Sequence, residues 1–317
     1  MAPVEPECEG GGAPGILPGV TAVPPGLDTR PLTTSDAPAA FDVLAAADEA
    51  DLGFVGIDLD DVVADWGRPS FSLETDSVGV FEGERLVGCI EVYKGSRAVG
   101  AVHPNHRERG IGTALVAWSE GHARAKGSTT LAHAMAEASA GPDLLRRRGY
   151  QHRHTAWILR LGTGDDILGD RNLPPGVAIR PMQEGEEQAT YRVVEDAFNE
   201  WEGRDPNSFD DWAATTLRRP GFQPWHTLVA TQDGGVVGVC NLGVSADIAW
   251  VSELAVRRDQ RGRGLGRLLL IDAFDRGRAA GATTFDLATD TRTGVLGLYE
   301  SVGMRIAAAY LHFVLEL

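Results

Sequence analysis

The sequence predicts a mixed α/β fold in which one domain occurs twice. Its 317 residues have the length of about two average domains. Segments of the two halves match at a fixed offset, and each half alternates predicted strands and helices in the same order. Since each half starts with antiparallel strands and contains a central β-α-β unit, we expect a mixed sheet with helices on both faces.

The internal repeat is clearest in short motifs. Residues 29–31 (Thr-Arg-Pro) match residues 179–181 (Ile-Arg-Pro) at an offset of 150. From the fourth predicted strand onward the offset is 154, so that Gly110 matches Gly264. The repeat is as long as a whole domain, which indicates a tandem duplication with four extra residues in the second copy rather than a solenoid.

Loop-forming residues divide the chain. Residues 1–26 are rich in Gly and Pro and have no apolar period, and we expect a disordered tail. A second Gly- and Pro-rich stretch, 162–176, is the predicted linker. It separates an N-terminal copy, residues 27–161, from a C-terminal copy, residues 177–317.

The predicted elements of the C-terminal copy follow from pattern and punctuation. A short strand at 177–180 precedes a helix at 184–201 with one apolar face, and Ser208 caps a second helix at 210–219. Strands follow at 227–231, 236–242 and 248–256, the first two joined by a turn at Asp233-Gly234. An apolar helix at 268–280 ends at Gly281, and a strand at 284–288, a helix at 294–301 and a strand at 304–315 complete the copy.

Composition narrows the class of protein. Hydrophobic residues make up 43% and charged residues 23% of the chain, which is ordinary for a globular protein. No apolar run is long enough for a membrane span, and the N-terminus does not resemble a secretion signal. The three cysteines form neither a disulfide framework nor a metal pair. We therefore expect a cytoplasmic protein, a monomer or homodimer, that makes no membrane contact.

The net charge of −16 argues against nucleic-acid binding, because neutralising phosphates requires basic stripes. It leaves room for a cationic substrate. Histidines occur in pairs, His103 with His106 and His152 with His154, but no cysteine or carboxylate cluster accompanies them. We therefore predict no metal site.

The segment that indicates chemistry follows the predicted strand 248–256. Glycines at 262, 264 and 266 let the backbone approach a ligand closely, and the free N–H groups of the next helix carry the positive end of its dipole. Such a turn binds anions, most often a pyrophosphate. Arg261, Arg263 and Arg267 add positive charge around it.

Two common phosphate motifs do not fit this turn. A dinucleotide-binding G-x-G-x-x-G would need glycine at 267 or 269, where Arg267 and Leu269 stand. A P-loop would need a Gly-Lys pair, and this half contains no lysine.

The spacing R-x-x-G-x-G directly after a strand, here Arg261, Gly264 and Gly266, instead resembles the GNAT superfamily of acyl-CoA-dependent N-acetyltransferases. The resemblance covers both halves, about residues 27–317, and includes residues 298–304, which resemble the family's L-Y-x-x-x-G-F. In its tandem arrangement the sequence is similar to mycothiol synthase and its actinobacterial relatives.

The resemblance implies two tandem GNAT domains and acetyl-CoA as co-substrate. Tyr299 would protonate the departing CoA thiolate, as a phenol with a pKa near that of the thiol can. The expected CoA contacts in the C-terminal copy are Leu254, Ala255, Val256, Arg261, Gly262, Arg263, Gly264, Leu265, Gly266 and Arg267. Among these, the backbone N–H groups of 254–256 would stabilise the oxyanion.

The base that takes the proton of the amine is less clearly indicated. Related enzymes often carry a glutamate six residues before the position of Val256, but this chain has Trp250 there. Glu253 is the candidate base or amine anchor, provided that a bulge changes its side of the strand. Glu200, Trp201 and Glu202 are candidates for an acceptor pocket, with a solvated helix end as the alternative. Arg292 stands where many family members have asparagine, and either CoA contact or solvent exposure fits it.

The N-terminal copy retains the turn but lacks the acid. Its expected cofactor contacts are Val102, Arg107, Arg109, Gly110, Ile111, Gly112 and Thr113. The position that corresponds to Tyr299 in distance from the turn is Leu145, which cannot donate a proton. We therefore expect this copy to bind CoA or to be structural, without catalysing.

The sequence thus predicts an acetyl-CoA-dependent N-acetyltransferase that modifies a small, cationic primary amine by direct attack in a ternary complex. Two alternatives stay open. One is acetylation of a cysteinyl pseudo-disaccharide, as in mycothiol synthase, against which Trp250 counts. The other is a non-catalytic acyl-CoA-binding or sensing protein, against which Tyr299 counts.

Overall fold

The computed structural model describes residues 23–169, 171–201 and 203–317. The predicted tail falls largely outside this range, as do Cys8 and Glu202. The elements of the N-terminal copy are β1 (Asp28–Arg30), α1 (Ala37–Leu52), α2 (Leu59–Trp66), α3 (Leu73–Asp76), β2 (Ser77–Glu82), β3 (Arg85–Tyr93), β4 (Arg97–Val102), α4 (Ile111–Ala125), β5 (Thr130–Ala136), α5 (Gly141–Arg147) and β6 (Gln151–Leu161).

The C-terminal copy repeats this order apart from the short α3. Its elements are β7 (Val177–Pro181), α6 (Glu187–Phe198), α7 (Phe209–Thr215), β8 (Thr227–Gln232), β9 (Gly235–Ser245), β10 (Ile248–Val256), α8 (Leu265–Ala279), β11 (Thr284–Asp290), α9 (Leu296–Glu300) and β12 (Arg305–Glu316). Each lies where the sequence pattern placed it, with helix ends shifted by up to four residues. The side chain of Ser208 caps α7 by accepting a hydrogen bond of 3.1 Å from the Asp211 N–H.

All strands of the described residues join one 12-stranded sheet in the order β1-β2-β3-β4-β5-β12-β6-β11-β10-β9-β8-β7. At the centre of this sheet, the two copies exchange their last strands. β12 of the C-terminal copy pairs with β5 of the N-terminal copy, and β6 of the N-terminal copy pairs with β11. β6 and β12 also pair with each other.

The exchange also links the hydrophobic cores. Leu159 and Leu161 of β6 are fully buried in the core around α8 and β10, and Leu311 and Phe313 of β12 complete the core around α4 and β3. Each copy therefore lends its final strand to the other copy's core.

Contacts away from the sheet also join the copies. The guanidinium of Arg219, just beyond α7, donates to the carboxylates of Asp58 (2.5 Å) and Asp61 (3.0 Å) at the start of α2. Cys89 and Cys240 are buried free thiols, one in each copy.

No helix in the described part of the chain has the length and apolarity that a membrane crossing demands.

In each copy the two central parallel strands pair only at one end. β10 and β11 are in register from Ile248–Thr284 to Val251–Leu287, and β4 and β5 only at Arg97–Ala132 and Ala98–His133. β10 also has a bulge between Val251 and Glu253 in its pairing with β9. A bulge bends a strand and increases its twist. The second half of β10 therefore diverges from β11 and opens a cleft in the sheet.

Candidate active site

The cleft between β10 and β11 has a volume of about 950 Å³. The cleft opens where the two strands diverge. The turn before α8, the end of α6 and the helix α9 surround it. The exchanged strands β6 and β12 contribute Ala156 and His312 to its wall. The cleft of the C-terminal copy is thus completed by a strand of the N-terminal copy.

The glycine turn lies at the mouth of this cleft. Gly262 and Gly264 have φ of +75° and +79°, a backbone conformation that favours glycine. A Cβ atom at either position would meet nothing within 4 Å, so the space in front of the turn is open. Gly264 precedes α8 without a side-chain cap, which leaves the N–H groups of the first helical turn available. This geometry fits the pyrophosphate of CoA.

The arginines of the turn are held by other side chains. Arg261 donates to both carboxylate oxygens of Glu200 (2.7 and 3.0 Å) and to the backbone carbonyl of Val256 (2.9 Å). Arg263 donates to the side chains of Gln232 (2.7 Å) and Gln260. One predicted CoA contact, Arg263, is not among the described residues that line the cleft. The other predicted contacts of this copy all line it: Leu254, Ala255, Val256, Arg261, Gly262, Gly264, Leu265, Gly266, Arg267 and Arg292.

Tyr299 lies in the cleft wall on α9 and is 7% exposed. Burial raises the pKa of its phenol to about 12, while a hydrogen bond with Thr289 acts in the opposite direction. The phenol is therefore protonated at neutral pH and retains a proton to donate.

Glu253 follows the bulge, but its carboxylate is engaged on the side of the sheet that α7 covers. One carboxylate oxygen accepts hydrogen bonds from the indole N–H of Trp212 (2.9 Å) and from the side-chain amide of Asn241 (2.5 Å). Burial raises the pKa of Glu253. Glu253 is not among the described residues that line the cleft, whereas its neighbours Ser252 and Leu254 are.

The predicted acceptor-pocket residues are placed at the end of α6. Glu200 and Trp201 line the cleft, and Glu202 lies outside the described residues. The guanidinium of Arg292 lies 5.7 Å from the centre of the Trp201 indole ring. Arg292 also donates to the carboxylate of Asp290 (2.5 Å), which holds the pKa of Asp290 below its usual range.

Sequence reasoning missed Asp290 and His312, which both line the cleft. His312 of β12 stacks on His154 of β6, with ring centres 4.2 Å apart and planes inclined by 16°. The sequence holds no signal for this contact, because it depends on the strand exchange. Among the described residues, no three His, Cys, Asp or Glu side chains are grouped as a metal site would require.

The turn of the N-terminal copy has matching internal contacts. Arg107 donates to both carboxylate oxygens of Asp51 (2.7 and 2.9 Å) and to the Val102 carbonyl (3.3 Å), as Arg261 does with Glu200 and Val256. Arg109 contacts Glu82 (2.8 Å) and a ring nitrogen of His106 (2.8 Å). The shared pattern accounts for the arginine spacing in both copies.

The space around the glycine turn of the N-terminal copy differs from that around the turn of the C-terminal copy. A Cβ atom at Gly110 would lie 3.6 Å from the ring of Pro24, whereas the space at Gly264 is open. Val23 packs against the core of the N-terminal copy. Leu145 is fully buried in the same core, so no hydroxyl occupies the position of Tyr299. Ile111 is the buried first residue of α4, and Gly112 and Thr113 follow it.

Fold, cleft and glycine turn together define an acyl-CoA-dependent transferase, and comparison with known proteins agrees. The C-terminal copy matches the model of the acetyltransferase (GNAT) family over residues 188–304, and the N-terminal copy matches the acetyltransferase (GNAT) domain over residues 74–152. The chain belongs to the GNAT family of acetyltransferases and carries two of its domains in tandem. The predicted fold class, family and enzyme class are confirmed.

Its relatives include mycothiol acetyltransferases. One from Clavibacter sepedonicus is 30% identical over 220 residues, covering 65% of this chain and 68% of the relative. One from Sanguibacter keddieii is 26% identical over 300 residues, covering 87% and 92%. The solved structure of a GCN5-related N-acetyltransferase from Sphaerobacter thermophilus is 28% identical with a TM-score of 0.73, covering 93% of this chain and 97% of that one.

Proposed function

We propose that the C-terminal copy transfers an acetyl group from acetyl-CoA to the primary amine of a small molecule, in a ternary complex. One observation carries the proposal. The protonated phenol of Tyr299 and the open glycine turn at Gly264 border the same cleft. A protein that only bound acyl-CoA would have no use for an acid at this place.

The chain's own groups provide for each requirement of the reaction. The N–H groups at the start of α8 bind the pyrophosphate. β11 has left the edge of β10 at residues 254–256, and backbone N–H groups there stabilise the oxyanion of the attacked thioester. As the C–S bond breaks, Tyr299 donates its proton to the thiolate.

The amine must be neutral to attack. For an alkylammonium group with a pKa of about 10.4, loss of the proton at pH 7 costs about 4.6 kcal/mol of free energy. For an α-ammonium group with a pKa near 8, the same loss costs only about 1.4 kcal/mol. The cleft therefore needs a strong base for the first kind of acceptor and a weak one for the second.

The charges of the cleft favour a second candidate, the α-amine of a cysteinyl pseudo-disaccharide. Two carboxylates occur among the described lining residues, those of Glu200 and Asp290, and each is paired with an arginine that also lines the cleft. Neither is a free anion that would attract a strongly basic cation. The printed names of the mycothiol acetyltransferase relatives agree with an acceptor of this second kind.

Screening separates the candidates. The full chain would be incubated with acetyl-CoA and a library of alkylamines, aminoglycosides and cysteinyl or other aminoacyl compounds, with products identified by mass. Acetylation of aminoacyl compounds alone would select the second candidate, and acetylation of alkylamines would select the first. Binding of acetyl-CoA without any product would indicate a sensing protein and overturn the proposal.

A further inference from the structure

His312 is a titratable side chain in the wall of the cleft. It lines the cleft together with Tyr299 and Asp290. Its backbone is paired with that of His154 at the junction of the two exchanged strands, so both copies determine the position of this residue. The stacked rings, 4.2 Å apart, restrain its orientation further.

The surroundings keep this imidazole neutral. His154 faces it from β6, Arg292 from the end of β11 and Arg97 from β4, and each of these disfavours a positive charge on His312. Asp290 alone acts in the opposite direction, and its carboxylate already accepts hydrogen bonds from Arg292. Burial is the largest cause that lowers the pKa of His312, and together with the positive groups it brings that pKa to about 4. At neutral pH the ring therefore presents a nitrogen lone pair.

The other candidates for this role are engaged elsewhere. The carboxylate of Glu253 is bound by Trp212 and Asn241 on the side of the sheet that α7 covers. Glu200 is bound by Arg261 at the mouth of the cleft. Trp250 stands where related enzymes often have a glutamate and has no basic group.

The geometry points to His312 as the proton acceptor for the incoming amine, an assignment that rests on the proposed function. In the transfer step the amine nitrogen forms a bond to the acetyl carbon and gives a proton to the imidazole. The C–S bond breaks, and the thiolate takes the proton of Tyr299. Return of the imidazolium proton to the phenolate, directly or through solvent, restores both groups.

A weak base of this kind suits an amine that is already partly neutral. The test uses an acceptor that the screen has identified. The His312→Gln variant keeps a polar side chain but cannot take a proton. We expect kcat/KM to fall about 10²-fold at pH 7, with recovery as the pH is raised and solvent base takes the proton that the imidazole takes in the wild type. Acetyl-CoA affinity should stay unchanged.

The control is His152→Gln, since this exposed histidine lies on the same strand as His154, contacts Phe313 and is not among the described residues of the cleft wall. We expect wild-type activity. An NMR titration of the wild-type protein gives a second measurement that does not require the variant to fold. The His312 ring should stay neutral down to about pH 5, and it should titrate at higher pH in His154→Phe.

The outcomes are distinct. A His312→Gln variant with the wild-type pH profile, or a wild-type His312 that is protonated at pH 7, overturns the assignment and leaves the proposed function in place. A wild-type protein that acetylates no amine overturns both.

Discussion

Arg261 donates hydrogen bonds to both carboxylate oxygens of Glu200 at 2.7 and 3.0 Å, and Arg107 does the same with Asp51 in the other copy. Each arginine also binds the last carbonyl of the strand before its glycine turn. The first arginine of the R-x-x-G-x-G spacing therefore connects the turn to α1 in the N-terminal copy and to the residues just after α6 in the C-terminal copy.

The two ion pairs differ in exposure, which predicts different stabilities. The side chains of Arg261 and Glu200 are 41% and 38% exposed, against 30% and 17% for Arg107 and Asp51. Because solvent weakens exposed pairs, Glu200→Gln should lower the free energy of unfolding by less than about 1 kcal/mol. Asp51→Asn should cost about 1–3 kcal/mol, as loss of a partly buried charged hydrogen bond does. Urea unfolding of the two variants checks this, and equal losses would contradict it.

The second arginine of the turn allows a matched comparison between the copies. Arg263→Glu places a negative charge beside the open turn of the C-terminal copy. We expect the KM for acetyl-CoA to rise about 10-fold or more, equivalent to about 1.4 kcal/mol of binding free energy. Arg109→Glu, the corresponding change in the N-terminal copy, should leave steady-state kinetics intact. If Arg109→Glu were the more damaging variant, the two copies would have exchanged roles.

The ring of Pro24 lies against the N-terminal turn at Gly110, so we expect the full chain to bind one acetyl-CoA. At Gly110 the proline ring occupies space that is open at Gly264. A chain that lacks residues 1–26 should gain a second, weaker site. Isothermal titration calorimetry of both chains measures the stoichiometry, and two equal sites in the full chain would refute this prediction.

A buried glutamate of the N-terminal copy predicts a pH dependence of stability. Glu91 accepts hydrogen bonds from Trp66 (2.6 Å) and Tyr93 (2.5 Å), and burial raises its pKa to about 7 from an ordinary value of 4.5. Because the folded state holds this proton more tightly, its contribution to stability is complete below pH 4.5. It is lost as the pH rises to 7, by up to about 3 kcal/mol.

Glu91→Gln removes this titration. Relative to the wild type, the variant should gain up to about 3 kcal/mol of unfolding free energy between pH 4.5 and pH 8. Unfolding in urea across that range provides the measurement, with the exposed Glu84→Gln as control. Parallel curves for wild type and Glu91→Gln would show that Glu91 does not hold a proton in the folded state.

The local elements were predictable because their signals are local. Apolar periodicity and Gly and Pro punctuation placed β10, α8 and the turn between them. The distance of Tyr299 from the turn identified it as the candidate acid, and the residue lies in the cleft wall. The exchange of β6 and β12 was not predictable, because the alternation of either strand fits a neighbour from its own copy or from the other.

The missing part of the site follows from that exchange. His312 was an unremarked residue of the last strand, and its stacking on His154 exists only where β6 meets β12. Asp290 is the last residue of β11, which extends two residues beyond its predicted end. Glu253 was found as the acidic residue of β10, but its hydrogen bonds to Trp212 and Asn241 depend on tertiary packing. Its role as base or amine anchor stays a prediction.

The central claim, that the C-terminal copy catalyses acetyl transfer with Tyr299 as its acid, is tested most directly by amine-dependent release of CoA thiol. Wild type and Tyr299→Phe would be compared at saturating acetyl-CoA, with acetyl-CoA affinity measured separately. The account predicts that Tyr299→Phe loses about 10²-fold or more in kcat with unchanged affinity, because phenylalanine fills the same space but has no proton to give. An unchanged kcat in Tyr299→Phe would contradict it.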